Sequence, residues 1–384
     1  MKACMIAYTF YSADNRVRRY AEALVQRGHT VDAIVLAREE QPPVGLLRGV
    51  RILRVQKRVI NETGPLSYLL KLAGFFFRSA WVVTREHLRT PYDVIHVHSV
   101  PDFEVFATAI PRLLGAKVIL DIHDLVPEFY ASKFGVSMKS PVIRFLVLLE
   151  RLSIAYSDHV IISNDLWRER LIERSVRAEK CTTILNYPDT TIFSGGQSAE
   201  RKGPGFVLCY PGTLNWHQGL DLAIEAVNLL RDRIPLIKLL IVGDGPERER
   251  LRDLIHRLDL EESVSLTGFM PSEEVARIMS SVDLGVVPKR ASAFGNEAFS
   301  TKILEFMAMG IAVVVPRTKI DQLYFSNELV EFFEPDNAKD LAAKILSLWE
   351  NATRRDQLRV AGAQFAAKNS WDSKKHIYLE LVDR

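Results

Sequence analysis

The sequence predicts an α/β protein built from two doubly wound, Rossmann-like domains. The chain has 384 residues, a natural length for two domains of about 150–200 residues each. Apolar strand patterns, each followed by a loop and a helical pattern, recur in both halves of the chain. A segment rich in Gly, Ser and charged residues, at 194–205, separates the two halves as an interdomain linker does.

The composition is that of a globular protein with a full core. Apolar residues make up 48% and charged residues 25% of the chain. The net charge of +3 is compatible with an anionic lipid or substrate, but it does not indicate nucleic acid. The start of the chain lacks a signal-peptide pattern, so we expect a cytoplasmic protein. Neither a zinc site nor a disulfide framework is expected, because three cysteines lie far apart: Cys4, Cys181 and Cys209.

The first half is predicted to begin with a β–loop–α–β unit. A strand at 3–8 is followed by a helix at 16–27, which ends at Gly28, and by a strand from Thr30. The loop has no GxGxxG pattern, which argues against a dinucleotide site. It is either an ordinary charged helix start or a ligand-binding loop, since loops at the carboxyl ends of strands bind ligands in this fold. Its candidate residues are Asp14, Asn15 and Arg16.

An apolar and aromatic stretch at 66–83 is interrupted by Lys71 and Arg78, and it includes three consecutive phenylalanines at 75–77. The stretch is too short and too charged to span a membrane. We expect a helix that packs on the sheet. A second hypothesis is a basic amphipathic face that touches an anionic bilayer, because Phe, Trp and basic side chains suit that interface.

Histidines lie near the ends of two predicted strands, at 93–99 and 117–124. Carboxyl ends of parallel strands are where open α/β sheets bind ligands, so His98 and His123 are site candidates. We expect His96 to face away from His98 and to be structural. Further helices at 140–156 and 165–174 and strands at 159–163 and 182–189 complete the first half.

The second half repeats the α/β pattern. A strand at 206–212 leads through the loop GTLNWHQG into a helix, and a strand at 237–243 leads into the turn GDGP. Further strands are predicted at 264–270 and 280–288. The last elements are helices at 338–368 and an amphipathic tail at 370–384.

The most informative stretch of the second half is GNEAFSTKILEFMAMGIAVVVP, at 295–316. Either Ser300 or Thr301 can cap a helix N-terminus. Gly310 is placed to end this helix in the left-handed conformation, and a β-branched strand follows.

The polar residues of this stretch indicate a pocket for a phosphorylated sugar. Backbone N–H groups at a helix start can hold phosphate oxygens, and Lys302 adds a positive charge there. Glu297 and Glu305, with seven residues between them, can accept hydrogen bonds from sugar hydroxyls.

The arrangement of Glu-x7-Glu, helix, glycine and apolar strand resembles the donor-site signature of retaining glycosyltransferases of family 4 (GT4), which have the GT-B fold. The resemblance covers nearly the whole chain and implies two Rossmann-like domains that face each other across a cleft. The implied domains are an acceptor-binding domain at 1–193, a linker at 194–205, a nucleotide-sugar domain at 206–368 and a tail at 369–384 that packs on the first domain.

The resemblance also implies roles for individual residues. Glu305 binds the ribose hydroxyls and Glu297 the hydroxyls of the transferred sugar. The string DIHDLVPEF resembles the family's active-site histidine region, which makes His123 the residue that contacts the sugar when the cleft closes. Acceptor contacts are expected from the charged loop before the first helix, from His98 and from Glu128. The donor is a nucleotide-diphosphate sugar, and no cofactor and no metal are expected.

The donor loop departs from the family pattern. The family places Arg after the first Gly and Lys before the second Gly of this loop, and here those positions are Thr213 and Gln218. We expect the missing charge to come from Lys289, Arg290 and Lys302. Other donor contacts implied by the resemblance are the glycine turns and the loop beside the base: Gly212, Gly243, Gly245, Phe269, Met270, Ser300 and Thr301.

The predicted partners are a nucleotide sugar and a glycan or lipid-linked acceptor of surface-polysaccharide assembly, with peripheral contact at the cytoplasmic membrane face. A nucleotide-sugar epimerase with the same fold is one alternative. A nucleotide-binding protein without activity is another, because of Thr213 and Gln218. A dinucleotide-dependent oxidoreductase ranks below both, because the first strand is not followed by GxGxxG.

Overall fold

The computed structural model describes residues 1–38, 40–58, 65–195, 205–292 and 294–383. It divides the chain into two compact units: unit 1 is Met1–Asn186 with Lys375–Arg384, and unit 2 is Tyr187–Lys374. Each unit contains a largely parallel sheet with helices between its strands, which confirms the predicted class of two Rossmann-like domains. Most of the predicted linker at 194–205 lies outside the described residues.

Unit 1 is built on an eight-stranded sheet of order β3-β4-β2-β1-β5-β6-β7-β8, in which only β3 is antiparallel to its neighbour. Its strands are β1 Lys2–Ala7, β2 Thr30–Ala37, β3 Val44–Leu47, β4 Val50–Lys57, β5 Val94–His98, β6 Lys117–Ile122, β7 His159–Ile162 and β8 Cys181–Thr183. Its helices are α1 Asn15–Gln26, α2 Pro65–Arg89, α3 Ala109–Leu113, α4 Val126–Phe134, α5 Pro141–Tyr156 and α6 Asp165–Arg174. A short 3-10 helix, Asp102–Thr108, precedes α3.

Unit 2 is built on a six-stranded, all-parallel sheet of order β11-β10-β9-β12-β13-β14. Its strands are β9 Phe206–Pro211, β10 Ile237–Val242, β11 Val264–Gly268, β12 Leu284–Val286, β13 Val313–Pro316 and β14 Glu331–Phe333. Its helices are α7 Leu220–Leu230, α8 Arg248–Arg257, α9 Ser272–Met279, α10 Thr301–Ala308, α11 Lys319–Tyr324, α12 Ala338–Glu350, α13 Ala352–Lys368 and the start of α14 Trp371–Asp383.

The sequence patterns predicted the central elements better than the edge elements. Strands β1, β5 and β13 have every residue buried or nearly so, because both faces of a parallel sheet are covered by helices. The hairpin of β3 and β4 was not predicted, since β3 alternates between exposed and half-buried residues at a sheet edge. Short elements such as α11 and β14 were also missed, because three to six residues carry too little periodicity.

The last turns of α14 belong to unit 1. The Tyr378 hydroxyl lies 3.1 Å from Nδ1 of His96, and the Tyr378 ring packs on Tyr20 with centroids 4.3 Å apart. Arg27 forms an ion pair of 2.8 Å with Asp383 at the surface. A buried aromatic side chain therefore anchors the end of the chain to the first sheet.

Helix α2 has 25 residues and is the longest helix among the described residues. No helix in the described part of the chain combines the length and the hydropathy needed to cross a membrane.

Helix α10 packs on the unit 2 sheet through a contact that requires glycine. Gly285 lies in β12, and a Cβ atom there would lie 2.6 Å from the ring of Phe306 in α10. Phe306 is fully buried. The ring therefore occupies the space that a side chain at Gly285 would need, and this contact sets the distance between α10 and the sheet.

We expect Gly285→Ala to lower the free energy of unfolding by about 1–3 kcal/mol, because it overpacks the contact with Phe306. In a Phe306→Leu background, the same substitution should cost clearly less, because the smaller side chain can move away. Urea unfolding of the four proteins of this double-mutant cycle measures both values. Equal costs in the two backgrounds would contradict the assigned contact.

Candidate active site

The loop before α10 presents the backbone of a helix start. Ser300 is the N-cap residue, but its hydroxyl makes no capping hydrogen bond. The Ser300 Oγ atom is buried and has no hydrogen-bond partner among the described residues. Thr301 is the first helical residue, and Gly310 follows the helix with a φ of 67°. The N-terminal N–H groups and an unused hydroxyl together form an anion-binding feature.

Lys302, in the first turn of α10, lies over the loop that follows β9. Its Cε atom lies 2.2 Å from the position where Gly212 would carry a Cβ, and its ammonium lies 5.3 Å from the centre of the Tyr210 ring. No carboxylate among the described residues lies within ion-pair distance of this ammonium. Burial lowers the pKa of Lys302, and the nearby Glu305 partly offsets that effect. Lys302 is thus a poorly solvated cation beside the glycine loop.

Glu305 lies one turn further along α10 and is partly buried. Burial raises the pKa of its carboxyl, and Lys302 opposes that change. A poorly hydrated carboxylate is a strong acceptor for hydroxyl groups, because fewer waters compete for it. Glu297 lies in the loop before α10 and is also partly buried.

Three glycines let the loops after β9 and β10 approach each other. Gly212 and Gly243 have φ angles of 145° and 149°, which favour glycine. A Cβ at Gly243 would lie 1.9 Å from the Gly212 carbonyl oxygen, and a Cβ at Gly245 would lie 2.5 Å from the carbonyl oxygen of Leu214. Backbone groups therefore form this end of the sheet, where a ligand can contact them directly.

The structure places two of the three predicted phosphate-binding cations in ion pairs. The ammonium of Lys289 lies 3.0 Å from Asp321 and donates to the carbonyl of Ala298 at 2.8 Å. The guanidinium of Arg290 binds Asp221 at 2.6 Å and Asp336 at 3.0 Å. Their expected role on a diphosphate stays a prediction, and a diphosphate there would compete with carboxylates that already neutralise both charges.

Lys289 also shapes the candidate site. Its bond to Ala298 holds the residue next to Glu297. Asp321 receives a further bond of 2.6 Å from the Thr318 hydroxyl, in the cap of α11. Burial lowers the pKa of Lys289 and raises the pKa of Asp321. The pair thus fixes the loop that carries Glu297 relative to α11.

The other predicted donor residues surround the same strand ends. Thr213 is exposed, and its carbonyl accepts a bond of 3.1 Å from the Tyr210 hydroxyl. Gln218 ends a short 3-10 helix, and its N–H binds the carbonyl of Asn215 at 3.0 Å. After β11, Met270 is partly buried and Phe269 is 76% exposed. An aromatic ring so exposed in a loop is available to a planar ligand.

In unit 1, the predicted histidines meet at the carboxyl ends of β5 and β6. The strand register pairs His98 with Asp121. Nδ1 of His98 and Nε2 of His123 each lie 3.2 Å from Oδ2 of Asp121, and the two nitrogens lie 3.3 Å from each other. The side chain of His123 is 23% exposed, and that of His98 is buried. The structure thus brings both candidates to one point.

Arg16 reaches this point from the first turn of α1. Its Nε donates to Oδ2 of Asp121 at 2.8 Å, and its Nη2 donates to Oδ1 at 2.5 Å. Burial would raise the pKa of Asp121, but Arg16 and the histidines outweigh it and hold that pKa well below its usual range. Both side chains of this ion pair are buried.

The expected orientation of His96 was wrong. The rings of His96 and His98 stack with centroids 4.1 Å apart, because residues two apart on a strand point to the same side of the sheet. Burial lowers the pKa of both rings. His96, His98 and Asp121 place potential metal-ligand atoms within 4.8 Å of one another, a grouping that the sequence analysis did not foresee.

The predicted acceptor residues of unit 1 have structural partners. Asp14 caps α1 by accepting bonds from the N–H groups of Arg16 and Val17, each at 3.1 Å. Asn15 accepts a long bond of 3.5 Å from a neighbouring arginine. Glu128, in the first turn of α4, accepts bonds from Arg174 at 2.5 and 3.1 Å. Arg16 and Glu128 are therefore neutralised by ion pairs, so direct acceptor binding by either would have to displace a salt bridge.

Sequence reasoning missed Asp121 as a site residue. The sequence did contain an indication of its importance, because Asp121 is a charged residue inside the apolar strand KVILDI. A fully buried carboxylate requires a partner, so its position called for a cation nearby. The sequence did not indicate that the partner was Arg16, which lies 105 residues earlier.

Two family models match the chain. The model described as Glycosyl transferase 4-like domain matches residues 13–186, and the model described as Glycosyl transferases group 1 matches residues 196–365. The two matches do not overlap, and together they cover most of both units.

Curated relatives include proteins named as glycosyltransferases. WcaL of Escherichia coli, whose name assigns it to colanic acid biosynthesis, is 32% identical over 41% of this chain and 39% of its own length. Its Salmonella typhimurium counterpart matches over 47% of its own length, so the chain spans less than half of these relatives. The sulfoquinovosyl transferase SQD2 of Arabidopsis thaliana is 23% identical over 93% of this chain and 67% of its own length.

Solved structures share the fold over the whole chain. Sucrose-phosphate synthase of Thermosynechococcus elongatus aligns with a TM-score of 0.80 and 19% identity, over 99% of this chain and 98% of that one. HepE of Anabaena, solved in complex with UDP-glucose, aligns with a TM-score of 0.76 and 18% identity, over 100% of both chains. At this level of identity the similarity shows the fold alone.

We expect Lys302→Met to weaken binding of inorganic pyrophosphate by about 10-fold or more, because it removes a cation beside the Gly212 loop that has no carboxylate partner among the described residues. Arg290→Gln should change that affinity by less than about 3-fold, because Arg290 is already paired. Isothermal titration of the two variants and the wild type measures both effects. A larger loss in Arg290→Gln than in Lys302→Met would contradict this assignment of the anion site.

Proposed function

Because this chain belongs to the group 1 glycosyltransferases, with a glycosyltransferase 4-like first half and the GT-B fold, we propose that it transfers a sugar from a nucleotide-diphosphate sugar to an acceptor with retention of configuration. One observation carries the proposal. Lys302, Glu305 and the backbone of Gly212 lie together where α10 begins beside the carboxyl ends of the unit 2 strands.

The anion site suits the diphosphate leaving group of such a donor. Charge develops on the diphosphate as the bond to the sugar breaks, and fixed donors aimed at that charge lower the barrier. Lys302, the first N–H groups of α10 and the Ser300 hydroxyl supply those donors. Thr213 and Gln218 then add neutral hydrogen bonds in place of the family's two charges.

The two glutamates suit the hydroxyl-rich parts of the donor. We assign Glu305 to the ribose and Glu297 to the transferred sugar. The raised pKa of Glu305 supports its role, because it reports a poorly hydrated carboxyl in which water competes weakly with a hydroxyl. His123 contacts the transferred sugar in this proposal, and no metal ion or cofactor takes part.

A uridine diphosphate sugar is the first donor to test. HepE of Anabaena, which shares the fold of this chain, was solved with UDP and with UDP-glucose. The exposed ring of Phe269 offers a stacking surface for a base.

The acceptor in this proposal is a glycan or lipid-linked intermediate of surface-polysaccharide synthesis. The names of several relatives support an acceptor of this kind. WcaL is assigned to colanic acid biosynthesis and AmsK of Erwinia amylovora to amylovoran biosynthesis. A human relative, at 23% identity, is a phosphatidylinositol N-acetylglucosaminyltransferase subunit.

Unit 1 carries a surface that suits an anionic bilayer. One stripe of α2 exposes large apolar side chains at Leu70, Phe77, Trp81 and Leu88, each between 65% and 70% exposed. Their spacing places all four on one line along the helix. Contiguous exposed apolar patches mark interaction sites more often than random surface does.

Neighbouring helices extend this apolar surface. Helices α2, α3 and α5 pack around the same 3-10 helix at 102–108. α3 exposes 87% of Leu113, and α5 exposes Phe145, Leu148 and Leu152. Arg144 and Arg151 on α5 are exposed and have no carboxylate within ion-pair distance among the described residues. Apolar side chains flanked by unpaired arginines match the interface of an anionic membrane. We therefore propose that this surface makes peripheral contact with an anionic membrane, at its cytoplasmic face.

The three consecutive phenylalanines do not all belong to this surface. Phe75 is fully buried and packs edge-on against Tyr8, with centroids 5.2 Å apart. Phe76 is half-buried, whereas Phe77 is 70% exposed. A membrane test must therefore change Phe77 and Trp81 and leave Phe75 in place, because loss of Phe75 would damage the core.

We expect one sugar nucleotide to stabilise the wild type in a thermal-shift panel of UDP-glucose, UDP-galactose, UDP-N-acetylglucosamine and GDP-mannose. A ligand at about 100 times its dissociation constant stabilises the folded state by about 2.7 kcal/mol. Glu305→Gln should abolish that shift, because an amide cannot replace a carboxylate as the acceptor for two ribose hydroxyls. Glu225→Gln, an exposed glutamate on α7, is the matched control and should keep the shift.

The outcomes separate the alternatives. A shift in the wild type that survives in Glu305→Gln would contradict the assigned donor site. A shift without turnover in the presence of acceptor would favour a binding protein, which the neutral Thr213 and Gln218 permit. Interconversion of free sugar nucleotides without an acceptor would indicate an epimerase.

We expect the full-length protein to bind vesicles of phosphatidylcholine and phosphatidylglycerol more strongly than vesicles of phosphatidylcholine alone. The double variant Phe77→Ser, Trp81→Ser should weaken binding by roughly 10-fold or more, because two large apolar side chains no longer enter the interface. Sedimentation with the vesicles measures the bound fraction.

The matched control is Leu229→Ser, Val360→Ser, which changes two exposed apolar residues of unit 2. Equal loss of binding in both double variants would refute a specific surface on α2. Circular dichroism of each variant confirms that the fold is retained.

A further inference from the structure

A buried cluster in unit 1 contains charged and imidazole side chains to which the proposed sugar transfer assigns no role, apart from His123. Arg16, His98, Asp121 and His123 meet at the ends of β5 and β6, and only His123 has an exposed portion above one tenth. Asp121 is fully buried, accepts hydrogen bonds from Arg16 and lies 3.2 Å from a ring nitrogen of each histidine. It is therefore the centre of the cluster.

Asp121 has acceptor positions both for Arg16 and for the two histidines. A carboxylate offers about four acceptor positions on its two oxygens. Arg16 donates one hydrogen bond to each oxygen, at 2.5 and 2.8 Å. The two histidine nitrogens lie 3.2 Å from Oδ2, within reach of the remaining positions. Arg16 balances the charge of the carboxylate.

Three proton arrangements fit these distances. In the first, both His98 Nδ1 and His123 Nε2 carry a hydrogen and donate to Asp121. In the second, His98 Nδ1 donates to an unprotonated His123 Nε2, which lies 3.3 Å away. In the third, His123 Nε2 donates to an unprotonated His98 Nδ1, which leaves the hydrogen of His98 on its buried Nε2, an atom without a hydrogen-bond partner among the described residues. A carboxylate is a stronger acceptor than a neutral imidazole nitrogen. We therefore favour the first arrangement, in which both histidines donate to the charged Asp121 carboxylate.

We propose that Asp121, held by Arg16, is a positioning residue that fixes the tautomer of His123, with the proton on Nε2 and with Nδ1 presented as a hydrogen-bond acceptor. The inference rests on the proposed function for its consequence: His123 then accepts a hydrogen bond from a hydroxyl of the transferred sugar. The tautomer itself does not depend on that function.

A metal ion is the competing occupant of this cluster. The triangle of His98 Nδ1, His123 Nε2 and Asp121 Oδ2, with edges of 3.2–3.3 Å, has the spacing of ligands around a tetrahedral ion. The guanidinium of Arg16 argues against that occupant, because it binds both oxygens of the same carboxylate. A divalent ion there would add an unbalanced charge to a fully buried site.

The test is nuclear magnetic resonance of the full-length protein labelled with ¹⁵N at histidine, without any sugar nucleotide. His98→Gln and His123→Gln assign the two signals by their loss. We expect His123 to show a protonated Nε2 and an unprotonated Nδ1, and His98 to show a protonated Nδ1. Asp121→Asn should abolish this pattern at His123, because the amide offers one acceptor oxygen and an N–H donor in place of the carboxylate.

The control is Glu104→Gln, a buried acid of unit 1 that is paired with Ser79 and does not contact the histidines. It should leave both histidine patterns unchanged. A wild-type His123 with the proton on Nδ1, with both nitrogens protonated or with averaging tautomers overturns the proposal. So does a stoichiometric metal ion in the purified protein whose removal by a chelator shifts both signals. Because Asp121→Asn can lose stability, the wild-type pattern alone decides the tautomer.

Discussion

The need to pair every buried charge is the constraint on which both candidate sites depend. Moving an ion out of water costs several kcal/mol, and only a well-placed partner offsets that cost. Unit 1 satisfies the constraint with Arg16 and Asp121, and unit 2 with Lys289 and Asp321. Both pairs lie at the carboxyl ends of the strands, so each one also determines the position of the loops that surround a site.

In unit 2, pairing decides which cation is available to a ligand. Three positive residues lie near the start of α10, and from the sequence alone all three are expected to have the same role. Lys289 and Arg290 bind carboxylates and hold loops together, whereas Lys302 lies over a glycine loop without a carboxylate in ion-pair distance among the described residues. The loop after β9, which has Thr213 and Gln218 in place of the family's two charges, thus has a cation from another element beside it. Lys302 therefore supplies positive charge at the candidate anion site that the loop itself lacks.

In unit 1, the ion pair of Arg16 and Asp121 lies at the point where the histidines meet. Asp121 lies 3.2 Å from a ring nitrogen of His98 and of His123, and the stacked His96 has a separate partner in Tyr378 of the last helix. The apolar surface of α2 and α5 is a different kind of feature, since there the protein leaves large side chains in contact with water.

The sequence by itself determined the central strands and helices and the fold class, because strand and helix periodicities are local and a parallel sheet needs apolar strands. It also indicated the stretch around Glu297 and Glu305, whose residues are close along the chain. The two-residue period of a strand places His96 and His98 on the same side of the sheet, so the expectation that His96 faces away was wrong. Only the tertiary structure decided the partners of Arg16, Lys289 and Arg290, since the Arg16 pair joins residues 105 positions apart. Local patterns show that a charge is buried, but not which distant carboxylate will neutralise it.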